Sequence, residues 1–269
     1  MSTPWPPVRV NGTELQATSE AHYRKLLALQ RFVDRVLSSP VRPYVAKVVL
    51  FGSVATGDPH PDSDVDILLV GTERIRDIEF HSSEAAYSVL LETGEVCQPV
   101  VSSMGRWQVG DSCFLREVSQ TGKEVYTMDA EQLAYRTAQN LYLLAGEYLQ
   151  VAERLLAEGA VRVAVDVAYN AAELCAKAFL MGKVERTPSR HGSIVQKFSE
   201  IYILREQRFP PTLGHRLHQA LNYRHDARYI YEAIVTDEMA REVLTLAREM
   251  HEHLRQYLLE VADEQEDRP

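Results

Sequence analysis

Cysteine is scarce in this chain, and its distribution argues against both a disulfide scaffold and structural zinc. Three cysteines, Cys97, Cys113 and Cys175, occur in 269 residues. They are odd in number, far apart and set in apolar segments, as expected of buried free thiols in a reducing compartment. Close Cys/His pairs of the kind zinc requires are missing, and His251 and His253, two apart on an expected helix, point in different directions. No run reaches the ~18 consecutive apolar residues of a membrane span. The first ten residues carry prolines rather than a basic segment followed by an apolar core. Secretion and membrane insertion are therefore not expected, and a cytoplasmic location is. Excess positive charge is lacking too, since a net charge of −9 opposes strong nonspecific binding of nucleic acid by the whole chain. One stretch runs the other way. Between residues 183 and 228 nine Lys or Arg stand against four acids, with His191, His215, His218 and His225 among them. It reads either as a solvated helix face balancing acidic neighbours or as a phosphate-contacting surface, RNA included.

What is present is ordinary for globular protein: 45% apolar and 25% charged residues, in a length that suits one large or two modest domains. The most informative segment spans residues 52–66. Gly52-Ser53 follows the apolar run 45–51, ten residues intervene, and Asp64-Val65-Asp66 enters the apolar run 67–70. Both halves thus adjoin expected strands. A Gly-Ser turn leaving a strand lets the backbone approach a triphosphate, with amide N–H groups and the Ser53 hydroxyl as donors. Asp64 and Asp66, two apart on a strand, share a face and supply the oxygen ligands that Mg²⁺ prefers. An acidic surface turn would account for Asp58, Pro59, Pro61, Asp62 and Ser63. It has no need of Gly-Ser after one strand and Asp-x-Asp entering another.

The pattern resembles the nucleotidyltransferase family related to DNA polymerase beta, in its small form, over residues 45–126. The resemblance implies transfer of a nucleoside monophosphate from a nucleoside triphosphate, ATP being the expected one, to an acceptor. It matches Asp64 and Asp66 to the family's Mg²⁺ ligands and Gly52 and Ser53 to its triphosphate turn. The family's third carboxylate sits on a later strand, here expected at residues 95–102. Gln98 cannot take a proton at neutral pH, so either it occupies that position and weakens the site or Glu95 substitutes in a shifted register. Thr56 also departs from the basic or aromatic residue that the family often carries there.

Organisation changes near residue 129. Before it, helices (20–38, 74–92) alternate with strands, and a short helical segment (107–119) precedes a small strand at 125–126, an α/β arrangement with a mixed sheet. After it, helical spacing alone recurs: 131–157, 161–181, 192–204, a fourth helix opened by Pro210-Pro211 and ending past Tyr231, and a fifth capped by Thr236 that runs to about 261, with residues 263–269 frayed. The expected fold is therefore a two-domain α+β and all-α chain, with a small nucleotidyltransferase-like domain at 1–129 and an antiparallel helical bundle at 130–269.

The bundle resembles the HEPN domain over residues 130–262, through 171–180 (AAELCAKAFL), Ser189-Arg190-His191-Gly192 and Arg224-His225-Asp226-Ala227-Arg228-Tyr229. Nuclease members carry an Arg and a His separated by four to six intervening residues on the late helix. Here Asn222 and Ala227 fall at those positions, and Pro210-Pro211 and Gly214 interrupt the alternative spacing from Arg208 to His215. The resemblance therefore favours the non-nuclease kind, with Arg224, Arg228 and Tyr229 contacting a ligand or partner, Glu173 and Lys177 forming an i,i+4 pair, and His191 and Arg190 binding phosphate or solubilising a loop. Three functions stand open at this point. One is a Mg²⁺-dependent enzyme placing AMP on a hydroxyl of a partner protein, of a small molecule, or of its own Tyr223, Tyr229 or Tyr231. Another is a nucleotide-binding regulatory protein of the toxin–antitoxin type, homodimeric through its helices. The third is a HEPN-type ribonuclease.

Overall fold

The computed structural model describes residues 5–110, 112–184 and 187–266. The chain divides into two compact units, Met1–Asp129 and Ala130–Pro269, each with its own hydrophobic core. The first opens with a hairpin that the sequence reading did not include, β1 (Val8–Val10) and β2 (Thr13–Leu15), paired antiparallel. Its two-residue turn is Asn11-Gly12, both with positive φ (44° and 87°). That is the type I′ geometry for which Asn-Gly is the strongest short-range signal.

Helix α1 (Glu20–Leu37) follows, its first turn capped by the Ser19 side chain, which accepts from the His22 amide. Then come β3 (Val45–Phe51), the short α2 (Gly52–Thr56), β4 (Val65–Gly71), α3 (Ile75–Thr93), β5 (Cys97–Ser103), α4 (Met104–Val109), α5 (Cys113–Thr121) and β6 (Lys123–Thr127). The sheet order is β5-β4-β3-β6, with β3 antiparallel to both β4 and β6, and β4 parallel to β5. The sheet is therefore mixed, as expected. Alternate residues Val48, Leu50, Ile67 and Leu69 join Phe32 and Val33 of α1 and Ile78 and Val89 of α3 in the core. Val49, Leu68 and Val70 on the other parity are also buried, and α4 and α5 lie against β4 and β3. With both faces covered, the middle strands read as continuous apolar runs rather than as alternation.

The second unit consists of α6 (Ala130–Ala157), α7 (Val161–Leu180), α8 (His191–Phe198), which continues as a π-helical segment over Ser199–Arg205, α9 (Pro211–Tyr229) and α10 (Asp237–Glu266). Helix α7 is the axis of the bundle: Ala164, Ala168, Ala171, Ala172, Ala176 and Ala178 are all buried, and these small side chains allow its neighbours to approach closely. Phe179, Phe198, Tyr202 and Phe209 form an aromatic cluster beside it. Thr236 caps α10 by accepting from the Met239 amide at 3.2 Å, as expected. Three further details differ from expectation. Helix α9 stops at Tyr229, because the Arg162 guanidinium takes the carbonyls of Asp226, Ala227, Ile230, Tyr231 and Ala233 and turns the chain out of the helix. Helix α10 continues to Glu266 instead of fraying from residue 263, while residues 267–269 lie outside those described. Cys113 is exposed, and only Cys97 and Cys175 are buried thiols. Among the described residues, no helix is long and apolar enough to cross a membrane.

Candidate active site

Strand β3 delivers the chain to Gly52 with φ at +69°, a conformation that glycine adopts without strain. A Cβ added there would stand 2.2 Å from Asp66 Oδ2. The register explains this, since Phe51 pairs with Asp66 across the antiparallel β3–β4 ladder, so the turn and the acid meet at one end of the sheet. Ser53 is partly exposed, and its carbonyl closes α2 by accepting from the Gly57 and Asp58 amides, both at 3.1 Å, and from the Thr56 hydroxyl at 3.0 Å. A Gly52→Ala variant is expected to lose about 100-fold in any reaction that depends on Asp66. Misplacing a reactive group by about 1 Å has a cost of that order, and the left-handed backbone adds roughly 1–2 kcal/mol of strain. Turnover beside a thermal melt checks both parts.

Asp64 and Asp66 are partly buried and two residues apart at the start of β4. Burial, and then the Asp64 charge, hold the Asp66 carboxyl above its ordinary range. Two neighbouring carboxylates, with no lysine or arginine paired to either among the described ion pairs, form the donor set that a hard divalent cation would neutralise. The parallel β4–β5 register sets Gln98 beside Asp66 and Cys97 beside Val65. Gln98 is exposed, and its side-chain amide carries a neutral carbonyl oxygen. Glu95 is held elsewhere. It lies before β5, its carboxylate accepts from Lys25 Nζ at 2.8 Å, and Arg24 Nε stands 3.4 Å away. The shifted register that would have made Glu95 the third acid is therefore not adopted. Among the described residues no three His, Cys, Asp or Glu side chains are grouped to hold a metal. Burial first, then the negative charges of Glu95 and Asp64, push the Cys97 thiol up to about 12, so it stays protonated beneath the site.

The residues singled out in the helical unit are also placed. Arg224 is buried at 4% exposure, with Nε 3.1 Å from Asp166 Oδ1 and its guanidinium 5.5 Å from the Tyr169 ring centroid. Arg228 Nη1 donates to the same carboxylate at 3.0 Å, and Tyr229 is 61% exposed with Arg228 over its ring. Glu173 pairs with Lys177 at 2.8 Å and with His191. Burial disfavours its ionisation, but these two partners hold it below its ordinary value. In the basic stretch, Lys183, Lys197, Arg205, Arg208, Arg216, Arg224 and Arg228 each have a carboxylate partner. The stretch is thus largely neutralised rather than an open cationic face. Arg208 precedes α9 and pairs with Glu260, so it shares no helix face with His215.

Sequence reasoning missed Lys25 and Asp166. A signal for Lys25 existed: the buried face of α1 runs His22, Lys25, Leu26, Leu29, Phe32, Val33 and Val36, and a lysine within that apolar stripe must find buried acceptors.

Comparison with known proteins agrees with this geometry. The nucleotidyltransferase domain family matches residues 29–95, and the HEPN domain family matches residues 138–257. A Methanocaldococcus jannaschii protein named "Putative protein adenylyltransferase MJ0604" is 34% identical over 101 residues, which cover 37% of this chain and 95% of that protein. Transfer of a nucleoside monophosphate is the chemistry that these matches support. With the Gly52-Ser53 turn, the Asp64/Asp66 pair and a helical second unit in place, the chain belongs to the nucleotidyltransferase family, in a form fused to a HEPN domain.

Proposed function

We propose that the protein transfers AMP from ATP to a hydroxyl group in a Mg²⁺-dependent reaction, and that the acceptor is a protein side chain. The observation that carries this reading is the closure of Gly52 on Asp66: a backbone turn with no side chain is packed against one of two mutually repelling carboxylates. In this reading Asp64 and Asp66 hold the cation, with the Gln98 carbonyl as a neutral third oxygen. Mg²⁺, when bound, supplies charge neutralisation on the triphosphate and orients the in-line displacement. The Gly52 turn and the Ser53 hydroxyl hold the terminal phosphates, so that the acceptor oxygen replaces pyrophosphate at the α-phosphorus. The name of the archaeal relative favours a protein acceptor over a small molecule. The helical unit presents that acceptor or pairs two chains, and Arg224, Arg228 and Tyr229 are its candidate contacts.

Gln98 beside Asp66 supports one second reading, a protein that binds nucleotide and turns it over poorly or not at all. Incubation with α-labelled ATP and Mg²⁺, alone and with candidate acceptors, separates the two. Label on an acceptor with wild type but not with Asp64→Ala/Asp66→Ala is the expected result. Tight ATP binding without pyrophosphate release would replace it with the second reading.

A further inference from the structure

Lys25 is 1% exposed, yet it lies between the two halves of the site. Its ammonium donates to the Pro61 carbonyl at 3.0 Å, the Ser63 carbonyl at 2.6 Å and Glu95 Oε2 at 2.8 Å. An ammonium has three donors, and three oxygens receive them. Two of the three acceptors are main-chain carbonyls of the segment that connects the Gly52-Ser53 turn to Asp64, and Ser63 is the residue immediately before Asp64. Just before the α1 cap, the chain reaches the other half. The Thr18 hydroxyl donates to the Gly57 carbonyl at 2.5 Å, and His22 Nδ1 accepts from the Thr18 amide at 3.2 Å. Helix α1 and the residue just before its cap thus hold the end of the turn through Thr18 and the entry to the acid strand through Lys25.

Burying an ammonium costs several kcal/mol before its partners compensate, and apolar replacement of buried ion pairs is often neutral or stabilising. Stability alone therefore gives no reason for a lysine here, where leucine or methionine would continue the apolar stripe of α1. Its use of loop carbonyls does give one. We infer that Lys25 is a positioning residue for the reaction: it fixes the Pro61–Ser63 segment, and through it the placement of Asp64 and Asp66 against Gly52, while Glu95 serves as its buried counter-charge. This assigns Glu95 a role as partner of Lys25 rather than as cation ligand. It rests on the cation-site reading proposed above.

The test is the dissociation constant of Mn²⁺, measured by water-proton relaxation, for the full chain and for Lys25→Met. Methionine fills the aliphatic path of the lysine, and Arg24 remains 3.4 Å from Glu95 to compensate its charge. The expected result is a Mn²⁺ affinity weakened roughly 10–100-fold, the range for losing a group that orients a metal ligand, at a temperature well below the variant's measured unfolding midpoint. A purely structural lysine would shift the midpoint and leave the affinity of the folded protein unchanged, and that outcome overturns the inference. If Lys25→Met does not fold, Lys25→Gln, whose amide keeps a donor for the loop, is read by the same criterion. Absence of Mn²⁺ binding by wild type removes the cation site and the role of Lys25 together. It is distinguished from the preceding outcome, in which wild type binds and the variant binds equally.

Discussion

Asp66→Asn is expected to make the metal-free protein more resistant to heat while reducing nucleotidyl transfer about 10³-fold. The two effects have one origin. Burial and the neighbouring Asp64 disfavour the Asp66 carboxylate, so its proton is held to higher pH in the folded chain than in the unfolded one. Just above the ordinary Asp value of 3.8 the folded state therefore binds more protons than the unfolded state, and metal-free stability falls as pH rises through that window. Asparagine has no proton to lose there, so the variant should not show the fall. The carboxylate that destabilises the empty fold is the one proposed to hold the cation, and losing several kcal/mol of charge stabilisation in the transition state corresponds to about three powers of ten in rate. Thermal melts at pH 4 and pH 7, with and without Mg²⁺, test the stability half, and labelled-ATP turnover tests the other. Mg²⁺ should raise the wild-type midpoint and leave the variant's unmoved. A variant that melts below wild type without metal, or that Mg²⁺ still stabilises, would contradict the assignment.

The opposite change should have the opposite signs. Gln98→Asp places a third carboxylate beside Asp66, across adjacent parallel strands about 4.8 Å apart. Divalent-cation affinity and transfer rate are each expected to rise roughly tenfold or more, because affinity at oxygen sites follows the number of charged ligands. The new acid can also accept a proton from the acceptor hydroxyl, which Gln98 cannot. In the absence of metal the variant should melt lower than wild type, as three like charges share one end of the sheet. A Gln98→Asp protein with unchanged metal affinity and unchanged rate would remove Gln98 from the site.

Much of this arrangement could be read from residue order, and the parts that could not share a cause. Gly52-Ser53 and Asp64-x-Asp66 were legible because each half is punctuated by an apolar strand, and the mixed sheet follows from that framing. The choice between Glu95 and Gln98 was not. It depends on the alignment of β5 with β4 across the whole of α3, and a slip of one residue exchanges the faces. Lys25 was missed for a related reason: Glu95 is 70 residues away, and nothing local to α1 names it as the acceptor. The end of α9 is a third case, since the helical pattern runs on past Tyr229 and the stop is imposed by Arg162, 64 residues or more upstream of the carbonyls it takes. The β1–β2 hairpin differs from these, because Asn11-Gly12 announced it in plain local terms.

The sheet order β5-β4-β3-β6 has a consequence for the order in which the molecule comes into being. Strand β6, at residues 123–127, is the last piece of the first sheet and pairs with β3 on the edge away from β4. Every residue of the acid pair, its glycine turn and its lysine brace lies upstream of it. Domains fold as units during synthesis, the N-terminal one first, at about 5–20 residues per second. The 140 residues from 130 to 269 therefore take roughly 7–28 s to follow. While the helices of the second unit are still being added, the first unit already has every strand of its sheet, so the Gly52 turn and the two aspartates are brought together by that unit alone.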